Sequence, residues 1–226
     1  MVVALAALAA ALVGAAGPHV IRLLPEPAER DDDKITYLQL ARAPHLALWC
    51  AGAAGAMAAL VAERIPPELV PVWVVFAGVG TWLGYIDWRT RLLPFLLVAP
   101  TYVLTWLLVV TGALLLDDRR VVLDALVANV AVFGLFWLVY QVGRRFSGGA
   151  FGYGDVRFAG VVGLALGALG AGETLTGVYA GFVLGAIGGL VFSRLGWVDR
   201  KGFAFGPYMV VGAIVGAAWG ASIWPI

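Results

Sequence analysis

The feature that most constrains this chain is a series of long apolar segments separated by short polar ones. Each approaches the roughly 20 residues that an α-helix needs to cross the hydrocarbon core of a bilayer. Because lipid offers no hydrogen-bond partners and no alternating strand pattern is present, these segments must be helical. Only 13% of the residues are charged, whereas a soluble domain carries about 25%. The sequence therefore predicts an all-α, polytopic membrane helix bundle.

About eight transmembrane helices are predicted, within a single integral membrane domain over 1–226. Their expected bounds are 2–21, 45–62, 69–86, 94–116, 121–142, 156–172, 174–193 and 204–223. The longest polar connection is 22–44. No positive residue follows Met1 at the start of the first span, so we interpret that span as retained rather than as a cleaved signal.

The distribution of Lys and Arg predicts the orientation. If the eight spans are correct, twelve of the fifteen basic residues lie in connections on one side, and Arg64, Arg119 and Arg120 lie on the other. Cytoplasmic connections of membrane proteins carry the excess of positive charge. The first side is therefore predicted to be cytoplasmic, which places the 22–44 loop inside and both termini outside.

Two acidic residues stand apart from the rest. An acid within a membrane span is costly, about 2.5–3.5 kcal/mol at the centre of a helix, and usually has a function. Most of the fourteen Asp and Glu residues fall in predicted connections, and Asp124 lies one turn into the fifth span on the outer side. Asp87 and Asp155 remain, at the end of the third span and the start of the sixth. The predicted orientation places both at the cytoplasmic boundary.

A pair of carboxyl groups at one depth suggests acid–base chemistry. Facing carboxylates cannot both ionise easily and share a proton, so one can act as general base toward water and the other as general acid. Gly152 and Gly154 would let a substrate backbone approach Asp155 closely, because no Cβ is in the way. Taken singly, Asp155 could be only a helix N-cap and Asp87 only a partner of Arg89 or Arg91. Their shared position favours a functional pair.

Other chemistries lack the residues they need. Cys50 has no second cysteine to pair with, and His19 and His45 do not form an HExxH zinc motif. We predict no metal and no cofactor, and we expect no nucleic acid among the partners.

Three ordered segments carry a family resemblance. The segment Asp87-Trp88-Arg89-Thr90-Arg91-Leu92-Leu93-Pro94 resembles the first active-site segment of prepilin peptidases, the type IV leader peptidases. The segment Phe151-Gly152-Tyr153-Gly154-Asp155-Val156-Arg157 resembles the GxGD segment of that family, and Ala204-Phe205-Gly206-Pro207-Tyr208 is similar to its last-span signature. Their order, their spacing and the eight-span count agree with the family.

The resemblance implies an intramembrane aspartic endopeptidase whose catalytic helices cover about 69–226. Asp87 and Asp155 would be the catalytic pair, with Gly152 and Gly154 as the glycines of the GxGD motif. Pro94, Gly206 and Pro207 would shape helix ends near the site. Such enzymes act in the bacterial cytoplasmic membrane and cut prepilins or pilin-like secretion proteins on the cytoplasmic side, after a small residue such as Gly.

The sequence departs from the family pattern in the first connection. Many prepilin peptidases carry a cytoplasmic domain there, often with paired cysteines, which is linked to N-methylation of the new amino terminus. Only 23 residues, none of them cysteine, occupy 22–44. We therefore predict a short form that cleaves its substrate without methylating it and has no S-adenosylmethionine site.

The main alternative is an ion-coupled small membrane transporter in which Asp87 and Asp155 bind a proton or cation. Carriers place such acids near the bilayer midplane, whereas these two are predicted at one boundary. An inactive assembly scaffold is a third reading. Rhomboid, Ser–Lys and presenilin-like proteases each require a motif that this sequence lacks.

Overall fold

A computed structural model describes residues 1–26, 35–146, 152–194 and 204–224 of the chain. Within these ranges the regular structure is helical throughout, which confirms the predicted all-α class. The helices are α1 (Val2–Ala15), α2 (Gly17–Arg22), α3 (Tyr37–Ala41), α4 (Leu46–Ala62), α5 (Val70–Thr90), α6 (Phe95–Leu115), α7 (Arg120–Phe146), α8 (Tyr153–Gly167), α9 (Ala171–Arg194) and α10 (Gly206–Ile223). A 3₁₀ turn over Pro67–Leu69 precedes α5.

The described helices confirm a multi-pass membrane protein. Six helical segments are long and apolar enough to cross a bilayer, and each coincides with a predicted span. The other two predicted spans correspond to α4, with 17 residues, and α8, with 15. At 1.5 Å per residue α8 is about 22 Å long, shorter than a hydrocarbon core of about 30 Å. From Asp155 to Gly167 every residue of α8 except Arg157 is buried, so this helix is surrounded by protein.

Helix boundaries differ from the predicted span boundaries where the two acids lie. The third span was expected to end at 86, but α5 continues to Thr90 and ends at Arg91, whose N–H donates to the Asp87 carbonyl over 2.7 Å. The sixth span was expected to begin at 156, but α8 begins at Tyr153. Hydropathy identifies only the apolar part of a helix. The last turn of α5 and the first turn of α8 contain polar residues, so the predicted spans stopped short of the true helix ends.

The connection between α2 and α4 is partly helical. Glu26 accepts a hydrogen bond from the Tyr37 N–H over 2.8 Å, at the start of α3. Burial, together with the Glu26 carboxylate, raises the pKa of Tyr37 to about 12. The Tyr85 hydroxyl donates to the Leu40 carbonyl over 3.3 Å, which fixes the connection against α5. The charged part of the predicted loop, 27–34, lies outside the described residues.

The core lies between α5 and the buried helix α8. Trp73 and Phe76 of α5 pack with ring centroids 5.2 Å apart, and Phe76 stacks on Phe158 of α8 at 6.1 Å. All three side chains are fully buried. Because α5 also packs against α10, the end of α5, the start of α8 and the start of α10 meet at one end of the bundle.

The most extensive helix pair is α9 with α10, whose backbones meet at glycines. A Cβ on Gly212 would lie 2.6 Å from both the Gly177 carbonyl oxygen and the Gly181 Cα. Small residues allow this approach in membranes, where association depends on packing rather than on the hydrophobic effect. The contact with α9 therefore supports α10, the helix that begins at Gly206.

We expect Gly212→Ala to destabilise the protein by about 1–3 kcal/mol, the usual cost of overpacking. The added methyl group meets backbone atoms, which cannot rotate away. Thermal unfolding in detergent measures the effect. Gly134→Ala on α7 is the matched control, because a Cβ there meets nothing within 4 Å. Equal unfolding temperatures for the two variants would contradict the close packing of α9 on α10.

Candidate active site

Asp87 lies in the last turn of α5 and is only 4% exposed. Its Oδ2 accepts a hydrogen bond of 2.7 Å from the N–H of Gly206, the first residue of α10. A Cβ at position 206 would lie 2.9 Å from this oxygen and 3.1 Å from the Asp87 Cβ. The approach therefore requires glycine at 206, and it fixes one carboxyl oxygen of Asp87 against the start of α10.

Asp155 lies in the first turn of α8 and is 7% exposed. Its Oδ2 accepts a hydrogen bond of 3.1 Å from the Gly152 N–H, at the helix N-cap. The Oδ1 atom is buried and has no hydrogen-bond partner in the described part of the chain. A capping role explains the first oxygen but not the second, since a buried acceptor without a partner costs about 1–3 kcal/mol. The second oxygen is available to a water or a substrate group.

The structure brings the two acids together. The carboxyl groups of Asp87 and Asp155 lie close enough for their charges to interact. The segment after α5 also contacts the start of α8, because a Cβ on Gly154 would lie 3.0 Å from the Leu93 Cβ. Glycine at 154 thus allows the two acid-bearing segments to pack against each other.

Arg91 ends α5 in the left-handed conformation, with φ 58°. Its charge is near enough to act on Asp87. Within the described ranges, however, neither Arg89 nor Arg91 forms an ion pair with Asp87. The alternative that Asp87 serves as a boundary ion-pair partner is therefore not supported by the geometry.

The two predicted prolines lie at helix starts. Pro94 is the N-cap of α6, where its carbonyl accepts from the N–H groups of Leu97 and Val98. Pro207 is the second residue of α10, and its Cα would lie 3.6 Å from a Cβ on Gly84 of α5. Both prolines start helices that adjoin the acids, and neither has a group that could take part in proton transfer.

Sequence reasoning missed two contributors to this geometry. Leu93 is an ordinary member of the first motif, yet its side chain contacts Gly154. Arg91 was considered only as a charge, yet its left-handed backbone determines where α5 stops. A signal for the first was an apolar pair, Leu92 and Leu93, between the polar Thr90 and Arg91 and the proline that starts α6. Nothing in the sequence indicates a positive φ at an arginine.

The arrangement is one of paired carboxyl groups rather than a metal centre. Across the described ranges, no three His, Cys, Asp or Glu side chains cluster in a way that could hold a metal ion. The site consists of two buried acids, each with one carboxyl oxygen held by a glycine N–H.

The described chain is thus a helical membrane protein with two buried acids near each other at one end of its bundle. The model of the type IV leader peptidase family matches residues 74–193, more than half of the chain. The chain therefore belongs to the type IV leader peptidase family. Comparisons with the curated proteins and with the solved structures find no match.

Family membership confirms the resemblance drawn from the motifs and makes the chain an enzyme of the prepilin leader peptidase type, an aspartic protease. The matched region includes Asp87, Pro94, Gly152, Gly154 and Asp155. Gly206 and Pro207 lie beyond it, so their place beside Asp87 comes from the structure alone.

We expect Gly206→Ala to lower the rate of precursor cleavage about 10²-fold, because displacing a reacting group by about 1 Å can have that effect. The added methyl group would push Asp87 from the start of α10. Cleavage is followed by gel mobility of a prepilin precursor. Gly84→Ala is the control at the same helix interface, where the Cβ contact of 3.6 Å is ordinary. A Gly206→Ala enzyme as active as Gly84→Ala would show that this contact is unimportant.

Proposed function

We propose that Asp87 and Asp155 are the catalytic pair of a leader peptidase that cleaves prepilins or pilin-like secretion proteins. The observation that carries the proposal is the meeting of two buried carboxyl groups at one end of the bundle. Each has one oxygen held by a glycine N–H, over 2.7 Å for Asp87 and 3.1 Å for Asp155. We infer that the other oxygen of each carboxyl group faces the attacking water and the scissile bond.

The mechanism follows from a shared proton. One carboxylate takes a proton from a water molecule, and the water oxygen forms a bond to the scissile carbonyl carbon. The other carboxyl group gives its proton to the carbonyl oxygen. When the tetrahedral intermediate collapses, the C–N bond breaks and the leaving amine receives a proton from the pair. The two carboxyl groups titrate as a unit, so the roles belong to the pair.

The position of the pair supports cleavage close to the membrane surface. Asp87 lies in the final turn of α5 and Asp155 in the first turn of α8, at the end of the bundle that carries most of the Lys and Arg. By the positive-inside rule that end faces the cytoplasm. A substrate with an apolar helix in the bilayer would present the start of that helix here, and a small residue such as Gly before the scissile bond would allow close approach.

The short first connection supports cleavage without methylation. Between α2 and α4 the described residues form only the five-residue α3 and its flanking turns. No cysteine lies in 22–44. The 23 residues of 22–44 are too few to form a domain that could hold a methyl donor.

The transporter alternative receives no support from the geometry. An ion-coupled carrier binds its ion near the midplane, often where a helix is broken. Here both acids lie in terminal turns at one end. Membership in a protease family also favours a peptidase over a transporter.

We expect Asp87→Asn and Asp155→Asn each to lower cleavage of a precursor at least about 10²-fold, because general acid–base catalysis contributes about 10²–10⁴. An amide can neither accept the proton of water nor supply one. Mass spectrometry of the product measures the cleavage site and should show a new amino terminus without a methyl group, even with S-adenosylmethionine present.

Asp124→Asn is the matched control, because Asp124 is an exposed acid on α7, away from the pair. That variant should cleave at the wild-type rate. If either active-site variant retained normal cleavage, the assignment of the pair would be wrong, and a methylated product would overturn the cleavage-only proposal.

The proposed orientation has its own measurement. A cysteine in place of Ser147, which lies outside the described residues, should react with a membrane-impermeant maleimide only from the cytoplasmic side. A cysteine in place of the exposed Asp118 should react only from the outside. The single natural cysteine, Cys50, is buried and adds little background. The reverse labelling pattern would exclude a cytoplasmic active site.

A further inference from the structure

A groove opens between α6 and α7. Both helices pack on α8 but make little contact with each other. The resulting groove has a volume of about 350 Å³, within the range of about 300–1,000 Å³ that is usual for ligand sites. Its walls include Val98, Ala99, Val103 and Phe133, and its floor includes Gly160.

Apart from Arg157, the polar side chains of the groove are satisfied within the protein. The Tyr102 hydroxyl donates to the Asn129 Oδ1 over 3.1 Å, and the Asn129 side-chain N–H donates to the Gly160 carbonyl over 2.6 Å. These bonds tie α6, α7 and α8 together. The surface that remains for an occupant is therefore mostly apolar and suits hydrocarbon.

Arg157 stands at one end of the groove and is exposed. Its guanidinium carbon lies 4.8 Å from the centre of the Phe95 ring and 4.7 Å from the centre of the Tyr153 ring. Stacking on aromatic rings holds a guanidinium in place while its N–H donors remain at the edge. In the described part of the chain those donors meet neither a carboxylate nor a carbonyl oxygen.

The position of Arg157 corresponds to the headgroup level of a bilayer. It lies in the first turns of α8, at the same end as the two acids, and next to Tyr153, a residue type that is enriched at membrane interfaces. From Phe95 to Val103 the groove follows α6 for about 12 Å into the hydrocarbon region. The Arg157 guanidinium therefore lies at the headgroup end of an apolar groove.

Arg157 and Asp155 do not compete for one ligand. They are two positions apart on α8, so their side chains leave the helix on opposite sides. Asp155 is buried toward the catalytic pair, whereas Arg157 is exposed at the groove.

We propose that this groove binds an anionic phospholipid, with the phosphate on the Arg157 guanidinium and an acyl chain between α6 and α7. A guanidinium and a phosphate form paired hydrogen bonds with good geometry. The apolar walls select a lipid over a soluble anion. The proposal is independent of the protease mechanism, because none of the groove residues is part of the acid pair.

Native mass spectrometry of the whole chain in detergent tests the proposal, with phosphatidylglycerol as probe and phosphatidylcholine as comparison. The wild type should bind one phosphatidylglycerol in preference. Arg157→Gln should bind it about tenfold more weakly, a change of about 1.4 kcal/mol, while Arg157→Lys should retain most of the affinity. Arg145→Gln is the matched control, since it removes an exposed charge from the same end of the bundle without touching the groove.

A second variant tests the apolar part. Ala99→Trp places a large ring in the groove and should also weaken binding about tenfold, with unchanged thermal unfolding showing that the fold is intact.

Three results would overturn the proposal. Equal loss of lipid in Arg157→Gln and Arg145→Gln would mean nonspecific charge attraction. Competition by inorganic phosphate at equal concentration would mean a site for soluble anions. Displacement of the lipid by an equimolar apolar precursor helix would mean that the groove belongs to the substrate. Cleavage by the same variants is measured separately. If the proposed protease function failed, the lipid-binding result could still be interpreted.

Discussion

The hydrogen bond from the Gly206 N–H to the Asp87 carboxyl group joins α10 to α5 through two residues that are 119 positions apart in the chain. It exists only because position 206 has no side chain, since a Cβ would lie 2.9 Å from the accepting oxygen. The start of α10 is in turn held by its packing along α9. An acid in a membrane span thus obtains a partner from distant backbone, and the helix bundle as a whole determines where that acid lies.

The position of the second acid, Asp155, depends on the short, buried helix α8. Asp155 lies in the first turn of α8, a helix of only 15 residues that is enclosed by protein along almost its entire length. A helix of this length cannot span the hydrocarbon alone, but it can start inside the protein with its first turn beside Asp87. Its N-cap is a glycine, so the Asp155 carboxyl group bonds to the Gly152 backbone and leaves Oδ1 without a partner among described residues. The burial of both acids follows from where α8 begins.

Much of this could be predicted from the sequence. Apolar length identified the spans, the distribution of basic residues placed Asp87 and Asp155 at one end, and the spacing of motifs identified the family. The sequence did not reveal that α5 passes 86 and stops at Arg91 in a left-handed conformation, because hydropathy does not report φ. It also did not pair Gly206 with Asp87 or Leu93 with Gly154. Those contacts connect residues whose proximity depends on the packing of three helices, and no local pattern contains that information.

The first turns of α8 lie between the acid pair and the apolar groove of α6 and α7. Asp155 points into the bundle toward Asp87, and Arg157, two residues later, lies at the aromatic-lined edge of a lipid-facing groove. Because both side chains leave the same rigid turn, the depth of one in the bilayer sets the depth of the other. A guanidinium held at the phosphate level therefore fixes how far below that level the acid pair can lie. Since Phe95 follows Pro94 directly, the segment that joins α5 to α6 adjoins both surfaces, and the position of the site relative to the membrane follows from local helix geometry.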